Sequence, residues 1–153
     1  MMKSERKAYK GIYTPVNPHK YKGDYKNIVY RSMWERKVMK WLDTKPDVVA
    51  WSSEEIIVPY KSPIDGKFHR YFVDFYVQVV TKDGTLKSFL WEVKPLKQAT
   101  EPKQKSRITK QYINEVTTWG VNQAKWKAAT EYCRDRGWEF KILTEEHLNL
   151  LDK

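Results

Sequence analysis

Asp74, Glu92 and Lys94 stand in a pattern that can hydrolyse a phosphodiester. Asp74 lies in an alternating run whose Val73, Phe75, Val77 and Val79 form one apolar face, so its carboxylate turns to the other face with Phe72 and Tyr76. Farther on, Phe89, Trp91 and Val93 alternate with Leu90, Glu92 and Lys94, and the ionisable groups again point away from the apolar face. The link Lys82-Asp83-Gly84 decides whether the two acids meet. A two-residue Asp83-Gly84 turn sets Asp74 opposite Val93. A three-residue loop with Gly84 left-handed pairs Thr81 with Thr85 and sets Asp74 opposite Glu92. We adopt the second register because it also gathers Val73, Phe75, Trp91 and Val93 in the core. It brings the two β-carbons to roughly 5 Å, with Lys94 one diagonal step away.

Facing carboxylates repel unless a cation lies between them. A hard divalent ion, Mg2+ with Mn2+ as its substitute, takes carboxylate oxygens and keeps water positions open. The main-chain carbonyl of Val93 is a further oxygen donor. Asp74 and Glu92 would hold the ion, and Lys94 would position the attacking water or stabilise the transition state. The competing reading is a solvated strand face with an ordinary ion pair, which explains Lys94 but not two facing acids. Glu35 is a candidate fourth member, binding the metal or its water. Ser32-Met33-Trp34-Glu35 equally fits a capping box in which Glu35 only satisfies a helix start, and both readings stand. Glu54 and Glu55 are weaker candidates, an exposed strand pair of which one could reach the metal from a neighbouring strand.

The elements that must position these groups follow from periodicity and punctuation. A helix starts at Ser32, carries Trp34, Val38, Trp41 and Leu42 at helical spacing, and ends before Pro46. One strand runs from Val48 to Tyr60, the loop Lys61–Lys67 turns it back, and further strands cover about His69–Val80 and Leu86–Val93. Residues 103–118 and 122–136 read as two helices, the second closed by Gly137. Trp138, Phe140 and Ile142 share a face of a last strand, and Thr144 caps a helix through Leu151. The order implies a mixed α/β sheet flanked by helices.

With 153 residues, the chain is sized for one domain. It has no long apolar run or apolar leader, so membrane spanning and secretion are not expected. A lone Cys133 excludes an internal disulfide, and His19, His69 and His147 are too dispersed for a zinc motif with it. The net charge of +10 is uneven: residues 1–31 carry +6, residues 32–93 none, residues 94–110 +5 and residues 111–153 −1. Residues 1–29, with Gly11, Pro15, Pro18 and Gly23, read as an extended basic arm or a set of turns contributing little core, ahead of a catalytic domain at 30–153. Interleaved tyrosines at 9, 13, 21, 25 and 30 favour a polyanion-binding role over a solubility device. Lys20, Lys22 and Lys26 on the arm, with Arg31, Lys97, Lys103, Lys105 and Arg107, are the candidate contacts to double-stranded DNA. Such contacts hold the backbone without reading sequence.

Helix-borne Glu35, then Val73-Asp74-Phe75, then Glu92-Val93-Lys94 resembles the PD-(D/E)xK nuclease superfamily, and the later helix and Trp138–Thr144 strand resemble its TnsA-like branch. The superfamily's proline before the aspartate is Val73 here, a position that ligates nothing. Tyr21-Lys22-Gly23-Asp24, Tyr30-Arg31-Ser32-Met33-Trp34-Glu35, Trp51-Ser52-Ser53-Glu54-Glu55 and His69-Arg70-Tyr71-Phe72 resemble the head completion nucleases of T-even-like phages. That resemblance implies a restriction-endonuclease-like fold and a Mg2+-dependent endonuclease and exonuclease. It also implies processing of packaged DNA before head-tail joining in the infected host's cytoplasm, with retention in the virion and phage head or portal proteins as partners. The alternatives are a non-catalytic DNA-binding head or portal connector and a Holliday-junction-resolvase-like endonuclease.

Overall fold

The computed structural model describes residues 10–151. Along the chain run β1 (Gly11–Tyr13), a 3-10 turn (Pro18–Lys20), β2 (Ile28–Tyr30), α1 (Met33–Thr44), β3 (Val48–Ser53) and β4 (Ile57–Lys61). There follow β5 (Phe68–Phe72), β6 (Phe75–Val80), β7 (Leu86–Val93), α2 (Lys110–Arg136), β8 (Glu139–Leu143) and α3 (Glu145–Leu150). The main sheet has the order β3-β6-β7-β8. β8 lies parallel to β7, while the other neighbours are antiparallel. On one face Val38, Met39 and Leu42 of α1 pack with Trp51, Phe75, Val77 and Leu148. On the other, Trp126, Ala129 and Cys133 of α2 pack with Leu90, Tyr71 and Val73. This is the mixed α/β sheet flanked by helices that the order of elements implies, and it agrees with the restriction-endonuclease-like fold that the resemblance implies. Trp138, Phe140 and Ile142 all meet the α2 side, as their alternation predicts.

The β6–β7 hairpin has the three-residue loop. Thr81 N–H donates to Thr85 O at 2.8 Å, Gly84 sits at φ 85°, and the ladder runs from Val80↔Leu86 to Phe75↔Trp91. The next pair is Asp74 and Glu92. The expected strands 48–60 and 69–80, however, each break in two. Ser53 pairs with Phe75 and Ile57 with Phe72, so residues 54–56 on one strand face only 73 and 74 on the other. That surplus residue is a β-bulge, with Glu54 at φ 55°. Glu54 N–H to Asp74 O and Val73 N–H to Ile56 O, both 3.1 Å, carry the pairing across it. Alternation is blind to a bulge whose left-handed residue is a glutamate rather than a glycine. One consequence is that Val73 joins the α2-side core and does not meet Phe75, Trp91 and Val93.

Two further expectations change. Residues 110–136 form one helix instead of the two predicted at 103–118 and 122–136. Thr109 Oγ1 accepts from Tyr112 N–H at 3.1 Å, which places the start later, and the helix runs on through Gly120, since a single interior glycine weakens a helix by about 1 kcal/mol without ending it. Gly137 closes α2 in the left-handed conformation, as expected.

The basic segment is also no free arm over its described part. Tyr13, Tyr21 and Ile28 are buried in the α1-side core; residues 1–9 lie outside the described residues. Asp43, fully buried at the end of α1, fastens it. Its carboxylate accepts from Tyr13 OH (2.7 Å), Val16 N–H (2.7 Å) and Asn17 N–H (2.9 Å). Its main-chain carbonyl accepts from Asn17 Nδ2 and from Lys20 Nζ, which also reaches Lys45 O at 2.9 Å. Lys20 therefore caps the negative end of α1 and is buried, not a DNA contact. Asp43→Ala leaves these donors unsatisfied and should cost about 3 kcal/mol or more, read as a lower urea midpoint; a loss under about 1 kcal/mol would contradict this role for Asp43.

Candidate active site

The bulge creates the site by taking one strand away from its neighbour. In the β6–β7 ladder every second pair exchanges main-chain bonds. Because Thr81 and Thr85 form such a pair, so do Phe75 and Trp91, and the next would be Val73 and Val93. Val73 instead donates to Ile56 across the bulge. The vacated position is filled by a side chain: Val93 N–H donates to Asp74 Oδ2 at 2.8 Å. Lys94 N–H, one residue on, turns the opposite way and donates to Leu143 O of β8 at 2.9 Å. The Val93 carbonyl shares the direction of its own N–H in an extended strand, so it too faces the Asp74 side.

Glu92 projects from β7 toward the α2 face and is only 6% exposed. Tyr71 OH donates to its Oε1 at 2.7 Å, and Lys94 Nζ lies 3.6 Å from its Oε2. Burial and then the Glu92 charge drive the Tyr71 hydroxyl far above the ordinary phenol range, so Tyr71 stays a donor. Burial first, and then the charge of Glu92, hold the Asp74 carboxyl well above its ordinary range; the Val93 N–H works against them, and Glu35 adds to them. The facing acids thus meet as the three-residue loop predicts, and the charge of Glu92 resists ionisation of Asp74.

Glu35 sits at the start of α1, within electrostatic reach of the other acids. Ser32 Oγ accepts from Glu35 N–H at 3.1 Å, which is the helix cap, while the Glu35 carboxylate accepts from Arg31 N–H at 3.1 Å. Burial raises its proton affinity, the Arg31 N–H opposes this, and the charges of Glu54 and Glu92 reinforce it. Glu35 therefore feels both Glu54 and Glu92. Glu54, on the bulge, is bridged by the Arg31 guanidinium, Nε at 3.3 Å and NH2 at 3.4 Å. Glu55 is exposed and lies 3.4 Å from Tyr21 OH.

Among the described residues, no group of three or more histidine, cysteine, aspartate or glutamate side chains is drawn together closely enough to hold an ion by itself. The donor set is nevertheless all oxygen, two mutually repelling carboxylates with the Val93 carbonyl on the same side, and it fits a hard divalent cation. Lys22, Lys26, Lys97, Lys103, Lys105 and Arg107 are exposed. Arg31 is exposed but engaged by Glu54. Sequence reasoning missed Tyr71, which alternation presents as one more core aromatic; nothing in the pattern points its hydroxyl at Glu92. It also missed the Arg31–Glu54 pair, which depends on the bulge.

The family described as TnsA-like endonuclease N terminal matches residues 45–145. The head completion nuclease of Enterobacteria phage T4 is 42% identical over 148 residues, covering 94% of this chain and 96% of that protein. The chain belongs to the head completion nuclease family. The TnsA-like endonuclease region runs from the end of α1 through β8 and contains Asp74, Glu92 and Lys94, whereas Glu35 precedes it.

The raised proton affinity of Asp74 has a sign that can be measured. The folded state binds the Asp74 proton more tightly than the unfolded state does, so its charged form weakens the fold as pH rises above the ordinary value of 3.8. Without added metal, Asp74→Asn keeps an acceptor for Val93 N–H and should raise Tm at pH 8 by about 3 °C or more. The gain should shrink as pH falls toward 4, and a gain independent of pH would contradict the assignment.

Proposed function

We propose that this protein is a metal-dependent deoxyribonuclease of the PD-(D/E)xK type, acting on packaged DNA during head completion. The observation that carries the reading is the juxtaposition of Asp74 and Glu92, which the Val93 N–H holds in place where the fold gains nothing from two facing acids. Asp74, Glu92 and the Val93 carbonyl would hold Mg2+ or Mn2+, and Glu35 would bind the ion or its water. When bound, such an ion acidifies water and offsets phosphate charge.

The chain's own residues supply the remaining requirements. Tyr71 orients the Glu92 carboxylate through Oε1 and leaves Oε2 on the Lys94 side. Lys94, anchored through its main chain to β8 and with its ammonium beside Glu92, would position the attacking water and favour developing negative charge. Glu35 enters from a different element, so its placement relative to the strands rests on α1 packing. Lys22, Lys26, Lys97, Lys103, Lys105 and Arg107 would hold the duplex backbone, and affinity should fall steeply with added salt. Endonuclease and exonuclease activities are both part of this proposal, as are head or portal partners.

The purified protein should nick supercoiled DNA and shorten end-labelled linear DNA with Mg2+, and do neither with EDTA. Asp74→Ala and Lys94→Ala should each lower the rate at least about 100-fold. Wild type cutting no better than Asp74→Ala would overturn the catalytic reading in favour of a DNA-binding scaffold. Tyr71→Phe should raise the Mg2+ concentration for half-maximal rate about tenfold or more while sparing the maximal rate more than Asp74→Ala does.

A further inference from the structure

One surface beside the site is unexplained by the fold. In the β4–β5 hairpin, Val58, Tyr60 and Tyr71 are buried toward α2. The opposite face sets three pairs in a row, Ile57 against Phe72, Pro59 against Arg70 and Lys61 against Phe68, and all six are exposed. Phe68 is 75% exposed and Phe72 42%. The Arg70 guanidinium lies over the Phe72 ring at 5.5 Å. The tip is ordered: Ser62 N–H donates to Lys67 O and Gly66 N–H to Ser62 O, both 2.9 Å. Exposed aromatic surface of this extent calls for a partner.

Charge and position say which partner. Residues 57–72 carry Lys61, Lys67 and Arg70 and a single acid, Asp65, which is paired with His69 at 2.8 Å. A two-fold contact between copies would set this cationic stripe against itself. Phe72 is two residues from Asp74, about 7 Å along the strand. We infer that the β4–β5 hairpin is a DNA-docking ribbon: Phe68 and Phe72 press into a groove of the duplex while Lys61 and Arg70 hold its flanking phosphates, delivering the backbone to Asp74 and Glu92. A two-stranded ribbon has the width for the roughly 12 Å major groove, where apolar side chains such as phenylalanine contact the thymine methyl groups. The inference rests on the nuclease reading for its substrate, and it adds the element that presents that substrate.

The test measures binding of the full chain to a short labelled duplex by fluorescence anisotropy in EDTA, across a salt series, with cleavage followed separately in Mg2+. Phe68→Ala with Phe72→Ala should weaken binding about tenfold with little change in salt slope. Lys61→Gln with Arg70→Gln should flatten the slope of log affinity against log salt by about 2. All four positions are exposed, so unchanged thermal melts are the control for folding. Both double variants binding within about twofold of wild type and cutting at the wild-type rate would overturn the ribbon and leave the nuclease reading intact. Unchanged duplex affinity with a dimer that Phe68→Asp dissociates in sedimentation would assign the stripe to self-association, also overturning it. Wild type that binds the duplex through this ribbon but never cuts it would sink the nuclease reading while supporting the ribbon.

Discussion

The site depends on where a single main-chain hydrogen bond goes. Val93 N–H is a ladder donor whose natural acceptor, the Val73 carbonyl, has been carried off by the bulge at Glu54. A buried donor must find a partner, and the nearest one is the carboxylate of the next residue, Asp74. That one substitution fixes the Asp74 rotamer and sets it against Glu92. It also turns the Val93 carbonyl toward the same space. The register that makes Asp74 the available neighbour is set far away, by Gly84 in a three-residue loop. A slip of one residue there would send every side chain of the strand to the wrong face.

The arrangement is held against electrostatic resistance. Asp74, Glu92 and Glu35 push on one another, and the compensating groups are few: Lys94, Tyr71 and two main-chain N–H groups. Two packed layers supply what the charges withhold. Trp126 and Ala129 back the strand that carries Tyr71, while Val38, Met39 and Leu42 seat the helix that carries Glu35. The buried clasp on Asp43 ties the N-terminal segment to the far end of that helix.

How much of this was legible in the sequence depends on the kind of signal. The Asp74–Glu92 pairing was readable because a glycine at a hairpin position limits the loop to few geometries. The helix at Ser32 and the closing Gly137 were readable because caps use distinctive residues. The breaks in the two long strands were not, because the left-handed residue is Glu54, which carries no such mark. Tyr13, Tyr21 and Lys20 looked like a DNA-binding arm because composition cannot tell a solvated lysine from one capping a helix end. The same Lys–Tyr vocabulary that suggests stacking on bases serves here to bury one end of the domain. The exposed stripe on β4–β5 escaped notice because its residues are ordinary strand formers; only the pairing shows that their outer face is left uncovered.

The parallel pairing of β7 with β8 has a consequence in time. Lys94 is tied down by Leu143, a residue separated from it by all of α2. A pairing between positions so distant in sequence carries a loop-closure cost that local hairpins do not. A nascent chain that already displays Asp74 and Glu92 still lacks the strand that anchors Lys94. The Lys94 corner of the candidate site is therefore assembled only once β8 has docked, a step separate from closing the local β6–β7 hairpin that carries the register of Asp74 and Glu92.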